Sequence, residues 1–193
     1  MKPYPLLLLV PLACPSFGVA QSAPQQPSSA HAWRQSQQTN SADAYSYSRF
    51  TLNGKFLTAP PHHGVTNRPA FVVNCIPADK SPRGKATFLT GNLIVGSTLK
   101  IIYVEPEEIR GTSYFPKVAI RYRTDDAKKD VDEQWSSRSD KISASIPNHS
   151  LKDILRAHTV AITVEDDQGK QIAMQFDMPD PTVVEQGCNV DEQ

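Results

Sequence analysis

The sequence predicts a mainly β fold, an antiparallel β-sandwich with one or two short helices, clamped by one disulfide. Three observations carry this. Seven or more short β-branched runs are separated by turn signals at near-regular spacing. The long strand–helix–strand alternation of a parallel α/β fold is absent. Once an apolar N-terminal segment is set aside, two cysteines remain, Cys75 and Cys188.

That segment is Met1 to Ala20, MKPYPLLLLVPLACPSFGVA. Lys2 precedes an apolar run from Leu6 to Cys14, and Gly18 and Ala20 take the −3 and −1 positions of a cleavage site before Gln21. The run is shorter than the about 20 apolar residues needed to span a bilayer. Residues 1–20 are expected to be a signal peptide, and the mature protein to be exported to a bacterial periplasm or the extracellular space. Cys14 follows Ala13 as in a bacterial lipobox, so lipidation of Cys14 is the alternative, and membrane attachment depends on it alone. Pro11, Leu12 and Pro15 fit a lipobox poorly, which favours a cysteine discarded with the signal.

Residues 21–46 are rich in Gln, Ser, Ala and Pro and nearly devoid of aliphatic side chains. Such a stretch buries too little apolar surface to offset its ordering entropy, so a disordered polar linker is expected, with Trp33 as its one large apolar residue. The domain is expected over 47–193. Phe50, Leu52, Phe56 and Leu57 flank Asn53-Gly54, which predicts a small hairpin. Residues 59–64 (APPHHG) force a loop. PAFVVNCI (69–76) is the first clear strand and carries Cys75.

Phe88, Leu89, Leu93 and Val95 suggest a further strand interrupted at Thr90-Gly91-Asn92, and LKIIYV (99–104) is another. In PKVAIRYR (116–123), Val118, Ile120 and Tyr122 alternate with Lys117, Arg121 and Arg123, the period-two pattern of a half-buried strand. Strands are also expected over 131–136, holding Trp135, and over 141–146. Ser150-Leu151-Lys152-Asp153 resembles a capping box opening a short helix, with Leu151, Ile154 and Leu155 on its apolar side. Residues 159–165 and 171–177 flank Asp166-Asp167-Gln168-Gly169 as a hairpin, and a last helical turn delivers Cys188.

The two cysteines of an exported chain read as one Cys75–Cys188 disulfide, closing a loop of over a hundred residues. Charge narrows the partners. The chain has 20 basic and 20 acidic residues, and loss of Lys2 with the signal leaves the mature charge near −1. No basic footprint for nucleic acid results, and no polybasic patch for an anionic membrane.

No catalytic, metal or cofactor constellation emerges. His62 and His63 are adjacent in a Pro-rich loop, whereas zinc needs three or four converging ligands. The carboxylate pairs Glu107-Glu108, Asp125-Asp126 and Asp166-Asp167 are turn chemistry, and Asp177 and Asp180 read as turn and cap residues. There is no G-x-S-x-G or S-x-x-K nucleophile motif. Trp135 is a core residue by position on its strand, with an exposed binding aromatic as the alternative. Arg121, Arg123 and Arg138 are candidate contacts for an anionic ligand, with a solvated strand face as the favoured reading.

Cys75 in its strand, Tyr122-Arg123-Thr124-Asp125-Asp126, Trp135-Ser136, Ser139-Asp140, Phe176-Asp177 and Cys188 follow one another in a recognisable order. Over about residues 69–188 this resembles the VasI-like proteins, small exported components associated with bacterial type VI secretion, and related uncharacterised exported proteins. The resemblance implies the β fold, the disulfide and an accessory role beside an envelope or secretion-system protein. The Pro-rich N-terminal segment and the Met178-Pro179-Asp180-Pro181 ending depart from it. The expected function is a non-catalytic interaction module; the alternatives are an extracytoplasmic hydrolase and a component anchored through Cys14.

Overall fold

The computed structural model describes residues 32–41, 45–58, 68–77, 80, 88–104, 115–125 and 127–188. The expected signal peptide, Cys14, His62, His63, Glu107, Glu108 and Asp126 lie outside the described residues.

The described chain is mainly β and antiparallel. Its strands are β1 (Arg34–Asn40), β2 (Tyr45–Asn53), β3 (Lys55–Phe56), β4 (Ala70–Ile76), β5 (Phe88–Ile94), β6 (Ile102–Val104), β7 (Phe115–Thr124), β8 (Val131–Ser137), β9 (Ser143–Ile146), β10 (Thr159–Glu165) and β11 (Gln171–Asp177). Two short helices accompany them, α1 (Asn148–Arg156) and α2 (Thr182–Gly187). The strands join in one ladder, β1-β2-β4-β5-β9-β8-β7-β10-β11-β3, with β6 on the end of β7. The layers of the expected sandwich are thus halves of one sheet curled into a half-barrel.

Register sorts the side chains by face. Opposed residues of an antiparallel pair share a face, so Leu52, Phe71, Leu93 and Ala144 form one inner row across β2, β4, β5 and β9. Tyr122, Ile162 and Met174 form another across β7, β10 and β11. All of these are buried. The curl brings the halves together: Phe71 of β4 meets Phe176 of β11 edge to face, with centroids 5.9 Å apart. The alternation in residues 116–123 has this cause, with Val118, Ile120 and Tyr122 inside and Arg121 and Arg123 exposed.

The sequence places Asn53-Gly54 in a hairpin turn, but β2 and β3 do not pair with each other. Residues 48–53 pair with β4, and residues 55–56 pair with β11 at the far end of the ladder. The chain bends at Gly54 and changes partner, as strands do at barrel corners. A Cβ at Gly54 would stand 2.6 Å from the Phe176 ring and 2.7 Å from the Gln175 carbonyl oxygen. Neither can withdraw, because Phe176 is fully buried and the carbonyl is backbone. Gly54→Ala is expected to cost about 1–3 kcal/mol; a urea midpoint equal to the parent's would show that the corner is not tight.

Residues 34–40 also differ from expectation. Read as linker, they form the edge strand β1, paired with β2 along its length. A polar edge strand has no hydrophobic period to reveal it. Its ladder bonds hold it, together with Trp33, whose ring packs on Phe71 at 6.2 Å.

The helices cover the inner face. α1 buries Leu151, Ile154 and Leu155, the expected side, and Leu151 lies over Gly91 of β5. The helix starts earlier than the predicted capping box: Asn148 is its first residue, and Ser150 sits within its first turn. α2 buries Val184, sets Gly187 against the Phe50 ring and ends at Cys188, which is bonded to Cys75 with Cα atoms 5.3 Å apart.

Candidate functional site: a polar groove on the outer face

Three groups of polar side chains stand out, and they differ in what they offer a ligand.

The first surrounds Glu133. Register puts it on the inner face of β8, opposite Ile120. Its carboxylate accepts hydrogen bonds from Trp135 Nε1 (2.8 Å), Ser150 Oγ (2.6 Å) and Tyr122 OH (3.4 Å), and meets His149 Nε2 at 3.2 Å. Burial pushes this carboxyl upward, but the bonds from Ser150, Trp135 and His149 outweigh it and hold the group below its ordinary value. Burial likewise raises the Tyr122 hydroxyl. Serine, histidine and glutamate meet here in the wrong order for a nucleophilic relay, where the imidazole stands between hydroxyl and carboxylate. Here the carboxylate stands between, and Ser150 is wholly buried. The cluster staples α1 to β8. Trp135, fully buried, belongs to the core, which corrects its alternative role as an exposed binding aromatic.

The second group is the outer face of β7, β8 and β10, where Ala119, Thr163 and the arginine predicted at 121 line a shallow depression of about 450 Å³. Arg121 Nε lies 2.8 Å from Asp132, and Arg123 Nη1 lies 3.6 Å from Asp130. Both pairs are well exposed, where such contacts contribute about 0–1 kcal/mol. Each arginine faces a carboxylate, so the face presents little net charge to an anion. Asp125, Asp177 and Asp180, among the other predicted carboxylates, are occupied locally. Asp125 accepts the backbone N–H groups of His158 and Thr159, and Asp180 accepts the N–H and hydroxyl of Thr182; these bonds hold both groups below their ordinary values. Asp177 accepts from Gln175 and meets Lys55 at 3.9 Å.

The third group lies on the outer face of the other half, in a groove of about 610 Å³ crossing β2, β4, β5 and β9. Outward alternation supplies Tyr45 and Tyr47 from β2, Asn74 from β4, Thr90 and Asn92 from β5 and Ser145 from β9, with Arg138 just beyond β8. The two tyrosine rings stand 6.0 Å apart. Asn92 is only 5% exposed, and its Oδ1 accepts from Arg138 Nη1 (3.0 Å) and Ser145 Oγ (3.3 Å). A guanidinium carries donors only, so the amide atom facing it is the oxygen.

Asn74 Oδ1 in this groove and Arg49 Nε just outside its lining are buried without partners, on residues directly opposed across β2 and β4. A buried polar atom without a bond costs about 1–3 kcal/mol, and such atoms mark places where a water or ligand atom belongs. Arg138 is set in place by a turn. Asp140 accepts the N–H groups of Ile142 and Ser143 and the Ser143 hydroxyl, and Lys141 adopts a left-handed φ of 57°. Arg138 has no carboxylate partner among the described residues, unlike Arg121 and Arg123.

Of the groove residues, the sequence singles out Arg138 alone, as a candidate anion contact beside Arg121 and Arg123; the structure parts it from those two. Asn74 and Asn92 interrupt apolar strands, and Thr90-Gly91-Asn92 reads as a break where β5 runs unbroken. Polar residues at alternate strand positions are the available signal. No helix among the described residues is long and apolar enough to cross a membrane, and none of their His, Cys, Asp and Glu side chains form a metal-binding group of three or more. No protein-family model, curated protein or solved structure matches this chain.

Proposed function

We propose that this protein is an exported, disulfide-clamped binding module, without catalytic activity of its own, that holds a polar component of the envelope or extracellular space in the groove beside Tyr45 and Tyr47. The observation that carries this is the orphaned, buried Asn74 oxygen, in a groove where the nearly buried Asn92 amide is tied at its oxygen by Arg138 and Ser145. A polar group kept buried with unused bonding capacity costs stability, and a ligand that completes the bonds recovers it. Export accords with the disulfide, which persists in oxidising compartments. An accessory role beside an envelope or secretion-system protein accords with the resemblance to VasI-like proteins.

Two measurements test the proposal. The intact mass of protein recovered from cell envelopes is expected to start at Gln21 and to gain about two daltons on reduction; a lipid-bearing mass starting at Cys14 would replace the soluble form with an anchored one. Oxidative footprinting with and without envelope extract is expected to protect Tyr45 and Tyr47 and to leave Tyr103, which is 64% exposed on β6, unchanged. Equal labelling of all three tyrosines in both samples sinks the groove as the binding site.

A further inference from the structure

We infer that the groove takes an acidic saccharide, a sugar bearing a carboxylate, with Arg138 reading the acid and Asn92 reading a hydroxyl. The inference rests on the binding proposal above and names its ligand. Three features converge on it. The first is charge. The described residues lining the groove include one cation, Arg138, and no carboxylate, and Arg138 spends one N–H on Asn92 and none on an acid. A guanidinium presents a planar fork suited to a carboxylate, so an anionic group completes it.

The second is the density of hydroxyl and amide groups. Asn74, Thr90, Asn92 and Ser145 line one patch of sheet with donors and acceptors at strand spacing. That pattern complements a ligand carrying hydroxyls at regular intervals. The third is the tyrosine pair, whose rings offer an apolar wall against which the C–H face of a sugar ring packs. An acidic peptide is the rival occupant. Peptides gain affinity by adding main-chain hydrogen bonds to a free strand edge. The groove floor is the face of β2, β4, β5 and β9, where the ladder already occupies the backbone groups; the edge strand β1 reaches only its rim, through Thr39 and Asn40. The mature charge near −1 also speaks against a nucleic acid, which needs a broad basic surface.

The test is calorimetric titration of the oxidised full chain with oligosaccharides of galacturonate, glucuronate and sialate, each beside its methyl ester, and with an oligoglutamate of equal charge. At least one acidic sugar is expected to bind at least tenfold more tightly than its ester. Arg138→Gln is expected to erase that preference, so that acid and ester bind alike. Tyr47→Ala is expected to weaken acid and ester alike. Acid and ester binding equally, or oligoglutamate binding as tightly as the sugar, overturns the saccharide assignment and leaves the groove standing as a binding site. So does a blank panel when envelope extract still protects Tyr45 and Tyr47. A blank panel without that protection removes both proposals.

Discussion

With Cys75 and Cys188 both replaced by alanine, the protein is expected to lose about 4–5 kcal/mol of unfolding free energy. The crosslink joins residues 113 apart in sequence, so it removes a large share of the unfolded chain's freedom. Single domains have about 5–15 kcal/mol in total, so the variant should lie near the edge of folding at room temperature. The loss also has a local side. α2 is six residues long, too short to persist without tertiary support. Its remaining anchors are Val184 and the contact of Gly187 with Phe50. Urea unfolding of parent, variant and reduced parent checks this, with the last two expected to coincide. A variant within 1 kcal/mol of the oxidised parent would show that native packing, and not the crosslink, holds the C-terminal segment.

The second large effect is expected at Glu133. Glu133→Ala leaves Trp135 Nε1 and Ser150 Oγ, both on fully buried residues, without their acceptor. Each such loss costs about 1–3 kcal/mol, so about 3 kcal/mol in total is expected, with α1 loosened from β8. Glu133→Gln keeps one acceptor oxygen and should cost less. The same group sets a pH dependence. Because its folded pKa lies below the ordinary value, the folded state releases the proton more readily than the unfolded chain. Its contribution is therefore complete above the ordinary carboxylate range and disappears as pH falls through the lowered folded value. Unfolding titrations from about pH 7 to pH 3 should show a steeper acid loss in the parent than in Glu133→Gln. Parallel curves would mean that this carboxylate is not what couples the helix to pH.

How much of this was legible depends on whether the determining contacts are local. The alternation of Val118, Ile120 and Tyr122 is visible because each faces the interior one residue in two. The hairpin of β10 and β11, the apolar side of α1 and the cysteine pair are visible for similar reasons: period, turn chemistry and parity. β1 was hidden because a solvent-facing edge strand needs no apolar pattern, and its anchor, Trp33 on Phe71, joins residues far apart in sequence. Asn53-Gly54 misled because the dipeptide that signals a hairpin here serves a corner whose partner strand begins at Gln171. Ser150 suggested a cap, but its hydroxyl serves a carboxylate 17 positions away. The groove was least visible of all. Its side chains come from β1, β2, β4, β5, β9, the turn after β8 and the start of α1, and only the register of strands far apart in sequence gathers them.

The corner at Gly54 also dictates an order of assembly. Phe56 faces Met174, over a hundred residues later, so the strand that leaves β2 cannot find its second partner until nearly the whole chain exists. Contacts this distant in sequence slow the search for the native state. Until the hairpin of β10 and β11 is complete, residues 55–56 and the inner row behind Phe71 lack their cover. A growing or truncated chain that stops short of Gln171 therefore carries an open ladder edge and an uncovered apolar face, the two features that make unfinished β proteins adhere to one another.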